Sequence, residues 1–292
     1  MITLLVNPAA GNGRAKKVAK TVEELLNQKK IPYLRRDTDA PNAATQLAQE
    51  AASAAAEGDF LLTVGGDGTF LESIQGLAGS RLPVAAIPAG TGNDFLKSLK
   101  MPADPAQALE HVLNAPLRQL DVGTVNGALF ANECGAGFDV AVLDYAEPVK
   151  KHFRGLIPYL WGVIKAVFCF HSLPLTVTAD GKEVFRGDSL VFSVANGQFI
   201  GGGIRISPEA DVQSGLLELI VLQKCGMLRK ISYLPGLLGG KILRFRDTVV
   251  HCRASHVTVS STRALRVNVD GEIHPMAQCE FTVLPGHLTV KM

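Results

Sequence analysis

No stretch of this chain is long and apolar enough to cross a bilayer. The best candidate, Leu156–Phe170, is too short and contains Lys165, whereas a spanning helix needs about 20 apolar residues. The N-terminal apolar run covers only Ile2–Val6 with no basic residue before it, which argues against a secretory signal. Cysteine is sparse and unpatterned: Cys134, Cys169, Cys225, Cys252 and Cys279 stand singly, an odd set without CxxC spacing. Neither a disulfide framework nor a structural zinc site is therefore expected, and a reduced, cytoplasmic setting is. Net charge is nearly absent as well. The 29 Lys and Arg against 27 Asp and Glu leave +2, too little for a chain whose main work is holding nucleic acid. There are no internal repeats, low-complexity tracts or long disordered stretches.

What is present suits a globular enzyme. With 292 residues, 47% of them hydrophobic, two domains are expected rather than one. The first 120 residues alternate short apolar runs at Ile2–Val6, Phe60–Val64 and Val84–Ile87 with helical stretches at Lys16–Lys29 and Asn42–Glu57. Pro32–Arg36 supplies a further strand, so the segment reads βαβαβαβ with right-handed crossovers. After about Asp121 the runs Leu175–Thr178, Ser189–Ala195, Leu216–Leu222, Val257–Ser260 and Leu265–Val269 read as antiparallel strands, with hairpin turns at Asp180-Gly181 and Asp270-Gly271. Helical insertions interrupt them at Val140–Phe170 and Met227–Phe245. The expected fold is α/β: an N-terminal doubly wound parallel-sheet lobe, residues 1–123, then a mostly antiparallel β-rich lobe, residues 124–278. Whether 279–292 returns to the first lobe stays open.

Three glycine-rich turns follow parallel strands, at the carboxyl edge where open α/β sheets bind ligands. The strongest is Gly65-Gly66-Asp67-Gly68-Thr69, between the strand Phe60–Val64 and a helix beginning near Phe70. Strand, glycine turn and helix start make an anion site, because free N–H groups and the positive helix end point at a phosphate. Asp67 would repel a bare phosphate, so the combination favours a nucleotide with Mg²⁺. The turns Asn7–Arg14 (with Gly11 and Gly13) and Pro88–Asp94 (with Gly90, Thr91, Gly92 and Asn93) converge on the same crevice. Arg14 and Lys16 read equally well as cations for phosphate oxygens or as a solvated first helical turn.

These turns, in this order and spacing, resemble the catalytic domain of the diacylglycerol kinase family, more distantly related to sphingosine kinases. The match runs on through Leu120–Gly123, Asn196-Gly197, Gly201–Gly203 and Val269-Asp270-Gly271-Glu272. The GGDGT element is shared with NAD kinases; the Asn-Pro-x-x-Gly opening and the late Asp-Gly-Glu point to the lipid branch. The resemblance implies that Asp67, Asp94 and Asp121 form an acidic network around Mg²⁺ and ATP, that Thr38, Gly65 to Leu71 (including Phe70) and Thr91 contact the nucleotide, and that Glu272 is the general base. Without it, Asp270-Gly271-Glu272 reads as a plain hairpin turn, Asp94 as a first-turn helix acid and Asp121 as a surface turn. In many bacterial relatives, the resemblance implies, a second, structural Mg²⁺ sits where an Asp-Gly pair follows a loop. The matching segment here, Asp211 to Leu216, has Ser214 in place of that aspartate, a poor ligand for a hard cation, and compensation by Asp211 stays open.

Lys224–Arg246 holds six basic residues and no acidic one, interleaved with Leu228, Ile231, Tyr233, Leu234, Leu237, Leu238, Ile242 and Leu243. It reads either as an interfacial membrane element or as a core helix pair with a solvated basic face. Lys150–Arg154 leading into Leu156–Phe170 is a second candidate, with Trp161 as core residue or membrane anchor. The expected activity is transfer of the γ-phosphoryl group of ATP to a lipid hydroxyl, diacylglycerol first, at the inner face of the membrane. An NAD kinase-like enzyme with a soluble acceptor and a non-catalytic nucleotide-binding regulator are the alternatives. The sequence leaves the oligomeric state open, a homodimer included.

Overall fold

The computed structural model describes residues 1–150, 152–153 and 157–292, with backbone alone for Lys150, Tyr159, Leu234 and Leu238. The expectations resting on Lys151, Arg154, Leu156 and the side chains of Lys150, Leu234 and Leu238 lie outside the described residues. Two compact units are formed: Met1–Val122 with Gly201–Gly203 and Pro285–Met292, and Gly123–Ile200 with Ile204–Leu284.

The first unit runs β1 (Ile2–Val6), α1 (Arg14–Gln28), β2 (Tyr33–Asp37), α2 (Ala43–Ala54), β3 (Phe60–Gly65), α3 (Asp67–Gly76), β4 (Val84–Pro88), α4 (Asp94–Ser98) and α5 (Pro105–Asn114). Strand β1 pairs in parallel with β2 on one side and β3 on the other, and β3 pairs in parallel with β4. The chain thus reverses its direction of travel across the sheet between β1 and β3, which makes their carboxyl ends a topological switch point. Leu4, Val6, Leu62, Val64 and Ile87 pack with Val18, Val22 and Leu26 of α1 and with Leu109 and Val112 of α5. Leu5 and Leu61, of opposite parity on the same strands, are equally buried, as a parallel sheet covered on both faces requires. Helix α5 starts where Asp104 accepts the N–H of Gln107 (2.9 Å) ahead of Pro105, a side-chain cap followed by a preset first residue.

The chain continues through β5 (Leu117–Val125), which starts in the first unit and ends in the second, then β6 (Ala128–Phe130), β7 (Glu133–Gly137), α6 (Phe138–Lys150), α7 (Ile157–Cys169), β8 (Leu173–Ala179), β9 (Lys182–Ala195), β10 (Leu217–Gln223), α8 (Met227–Leu238), a 3₁₀ turn at Ile242–Arg244, β11 (Val249–Ala254), β12 (His256–Val269) and β13 (Glu272–Lys291). Within the second unit β7, β9, β10 and β11 pair antiparallel in that order, and β12 pairs antiparallel with β7, β8 and β13. The core gathers Phe130, Phe192 and Phe281 with inward-facing Val and Leu residues. Edge-to-face contacts at 6.2 and 6.3 Å lock the three rings together.

Several boundaries differ from expectation. The helix expected near Phe70 starts three residues earlier, because Gly66 is extended and Asp67 can occupy the first turn. The insertion expected over Val140–Phe170 is two helices, and Met227–Phe245 is one helix and a 3₁₀ turn. Strands β5 to β7 and β11 were not anticipated. The expected runs Val257–Ser260 and Leu265–Val269 are one strand with an irregularity between Ser260 and Leu265. Strand β13 begins in the second unit and finishes in the first, with Val290 opposite Val84.

Candidate functional site

The three glycine turns of the first unit are tied to one another. Asn7 Nδ2 donates to Thr69 Oγ1 (3.0 Å), joining the turn after β1 to the start of α3. The N–H groups of Ala89 and Gly90 both donate to Gly65 O (2.7 and 3.1 Å), joining the turn after β4 to that after β3. The glycines are there for closeness: a Cβ at Gly90 would sit 2.4 Å from Gly66 Cα, and one at Gly65 would sit 2.5 Å from Thr69 Oγ1. Gly68 differs, since a Cβ there would meet nothing within 4 Å. The first turn of α3 has no side-chain cap. First-turn N–H groups have no intrahelical partner, so this open turn is a ready anion cradle.

Asp67 and Asp94 are drawn to the same place. Asp67 Oδ2 accepts the N–H of Asp94 (2.7 Å) and Oδ1 that of Phe95 (3.0 Å), so Asp67 caps α4 from the neighbouring turn. Asp94 Oδ1 accepts from Lys97 Nζ (3.1 Å) and Oδ2 from the N–H of Gly202 (2.7 Å). Burial pushes the Asp67 carboxyl up, the α4 N–H groups oppose it, and the neighbouring Asp94 charge adds to the rise. Two carboxylates flanking Gly92 make a place that favours a cation. Each also keeps lone pairs beyond those used here, so the pair suits Mg²⁺ arriving with a nucleotide. Among the described residues no group of three or more His, Cys, Asp or Glu could hold a metal ion by itself.

Other expected contacts are placed as follows. Thr38 follows β2 at the same sheet edge, its N–H donating to Val6 O (2.9 Å), while Thr91 and Lys16 are exposed and Leu71 half-buried. Arg14 donates to Pro88 O (3.1 Å), which binds one turn to another. Phe70 has its ring buried 5.5 Å from that of Phe95, and its N–H donates to Gly66 O. Asp121 is buried rather than in a surface turn, and its Oδ1 accepts the N–H of Gly286 (2.8 Å).

In the second unit Asp270 and Glu272 part company. Asp270 accepts the N–H groups of Ala131 (2.6 Å), Asn132 (3.0 Å) and Glu133 (2.8 Å), anchoring the β12–β13 turn on the start of β7. Asp270 and Gly271 both have positive φ, 48° and 105°, the conformation of a type I′ hairpin. Glu272 leaves that turn with its side chain 83% exposed, 3.6 Å from His274 Nε2. Sequence reasoning missed the anchor because its partners lie nearly 140 residues away. It also missed a buried acid pair, Glu133 and Asp139. Burial and the Asp139 charge hold Glu133 well above the ordinary carboxylate range, and burial pushes Asp139 up to about 6. Two acids in the otherwise uncharged stretch 129–143 were the available signal.

At the loop after Asp211, the single proton of Ser214 Oγ is donated to Asp211 O (2.8 Å), with Leu216 O a longer alternative acceptor (3.2 Å). A neutral hydroxyl that spends its proton on a loop carbonyl is a poor replacement for a carboxylate on a hard cation, so Ser214 fits a second Mg²⁺ poorly. Ser214→Asp is expected to create Mg²⁺-dependent stabilisation, read as a rise in Tm with millimolar Mg²⁺, about 2.7 kcal/mol at a hundredfold excess over Kd. An unmodified protein showing the same rise would contradict this.

Residues 1–125 match the family model described as diacylglycerol kinase catalytic domain, and residues 132–292 that of the YegS C-terminal NAD kinase beta sandwich-like domain. A diacylglycerol kinase of Bacillus subtilis is 30% identical over 293 residues, covering 99% of this chain and 95% of its own. Among solved structures, a diacylglycerol kinase of Bacillus anthracis superposes with a TM-score of 0.77 at 24% identity, covering 99% of this chain and 96% of that one. An NAD kinase of Archaeoglobus fulgidus in complex with ATP does so with 0.52 at 16%, covering 100% and 94%. At these identities the two structures speak to the fold.

Proposed function

This chain belongs to the diacylglycerol kinase catalytic-domain family of lipid kinases, and from that premise we propose that it transfers the γ-phosphoryl group of ATP to the hydroxyl of diacylglycerol at a membrane surface, giving phosphatidic acid. One observation carries the nucleotide half of this reading: the uncapped first turn of α3, open beside Gly68 and braced by the turns after β1 and β4. Its N–H groups receive phosphate oxygens, with exposed Thr91 on the turn after β4 and exposed Lys16 in the first turn of α1. Mg²⁺ bound with ATP would be held by Asp67 and Asp94 and would neutralise charge on the phosphates. Phosphoryl transfer needs chiefly positioning and charge stabilisation.

The chain's own chemical step falls to Glu272. Its exposed carboxylate takes the proton of the acceptor hydroxyl as that oxygen forms a bond to the γ-phosphorus; the bond from phosphorus to the β–γ bridging oxygen breaks, and ADP leaves. Asp270 holds the turn that carries Glu272. The test is to incubate the protein with Mg²⁺, labelled ATP and diacylglycerol, a sphingoid base or ceramide in mixed micelles, with NAD as soluble acceptor. Label is expected in phosphatidic acid. Label on NAD, or nucleotide binding without acceptor-dependent ADP release, would overturn the reading in favour of a soluble-acceptor kinase or a regulator respectively.

A further inference from the structure

Helix α7 is built inside out. In a helix of a soluble domain the large apolar side chains face the core. Here the closest approach is made by small residues: Gly162 lies so close to α6 that a Cβ would fall 2.4 Å from Val142 O, and Ala166 is fully buried, with Val167 beside it. The large residues Ile157, Leu160, Trp161, Ile164 and Phe168 are all exposed, Trp161 by 50% and Phe168 by 64%. Their spacing of 3, 1, 3 and 4 keeps them on one stripe along the helix. The stripe is extended by the first turn of α8, where Met227, Ile231 and Leu228, the last 86% exposed, also face outward. Lys230 joins the two helices, its Nζ donating to Phe170 O (3.0 Å) at the end of α7. Further along the basic segment Tyr233 and Ile242 turn inward and are buried with Leu222 and Val249.

Charge decides what covers this face. The stretches 150–172 and 224–246 carry ten Lys and Arg and no Asp or Glu. Arg229 is paired with Asp247 and Lys224 with Asp188, but Lys165, Arg244 and Arg246 have no ion pair with a described acid. A second copy docking by two-fold symmetry would set this basic patch against itself, whereas an anionic surface complements it. The 13 residues of α7 are about 20 Å long, too short to cross a membrane, and no described helix is long and apolar enough to do so. We propose that the exposed face of α7, with the first turn of α8, inserts in the plane of an anionic lipid bilayer, seating the side chains of Leu160, Trp161, Ile164 and Phe168 at the acyl boundary while the surrounding cations meet the headgroups. This rests on the lipid-acceptor reading and names the surface that would bring the enzyme to its substrate.

Trp161 is the only tryptophan, so its fluorescence reports on this face alone. The protein, without nucleotide or diacylglycerol, is mixed with vesicles of phosphatidylglycerol and phosphatidylcholine or of phosphatidylcholine only, with and without brominated acyl chains. Expected are a blue shift and quenching by bromine with the anionic vesicles, weakened by salt. The variants Leu160→Asp and Phe168→Asp, at exposed sites and checked by circular dichroism, should lower the vesicle-bound fraction about tenfold or more. Unchanged Trp161 emission from protein that sediments with vesicles would assign docking to another face, and failure to bind anionic vesicles would remove docking altogether. A shift that depends on protein concentration without vesicles and vanishes in Leu160→Asp would assign the face to a second copy. Each of these results overturns the proposal. Because the assay contains no substrate, insertion without lipid phosphorylation would fault the kinase reading, and phosphorylation of micellar diacylglycerol without insertion would fault only the docking face.

Discussion

Asp67→Ala is expected to lose about 10²–10³-fold in turnover at saturating Mg²⁺ and ATP while unfolding only slightly more easily. Both effects come from the same carboxylate. Its oxygens accept the first N–H groups of α4 at 2.7 and 3.0 Å, and losing such a cap costs about 0.5–2 kcal/mol. Its charge, beside Asp94 and the open turn of α3, would organise the metal and the phosphates. Asp67→Asn separates the roles, because the amide keeps one acceptor for α4 and carries no charge. If charge is the point, Asn should be nearly as inactive as Ala while recovering part of the lost Tm. If capping is the point, Asn should recover activity along with stability. An alanine variant that keeps more than about a tenth of wild-type turnover would exclude an essential role in organising the metal.

What could be read in the sequence was local. Gly65 to Thr69 declared itself because strand, turn and helix start are contiguous, and the anion cradle follows from backbone geometry at that one place. The turn Asp270-Gly271 was legible as a hairpin for the same reason. Asp67 as a cap, by contrast, depends on α4 beginning 27 residues later, and Asp94 accepting from Gly202 depends on a loop 108 residues away. No periodicity encodes such contacts. Composition was likewise blind to facing. Leu156–Phe170 was visibly apolar, but only the backbone approach at Gly162 decides that its small residues turn inward and Trp161 outward. Strands β5 and β6 were missed even though Asn126-Gly127, with φ of 49° and 86°, is a strong hairpin signal; the runs flanking it are short and interrupted by glycine and charge.

Glu272→Gln is expected to bind ATP as the unmodified protein does and to phosphorylate lipid about 10²–10⁴-fold more slowly. The exposed side chain makes no buried contact, so its stability should change by no more than about 0.5 kcal/mol. Asp270→Asn should behave in the opposite way. An asparagine has one acceptor oxygen where the aspartate uses two for the N–H groups of Ala131, Asn132 and Glu133, and its amide would turn a donor toward a donor. Leaving such a group unpaired costs about 1–3 kcal/mol, so this variant should melt earlier. Its rate at low temperature, where it is still folded, should fall only as far as the turn carrying Glu272 is loosened. The discriminating measurement is therefore kcat on diacylglycerol beside a melting curve for each variant. Loss of rate without loss of stability in Glu272→Gln, and loss of stability exceeding loss of rate in Asp270→Asn, follow from one carboxylate being unoccupied by the fold and the other being consumed by it. If Glu272→Gln turns over lipid at close to the wild-type rate, the proton goes elsewhere, and Asp270, fully engaged with backbone N–H groups, is not the place to look for it.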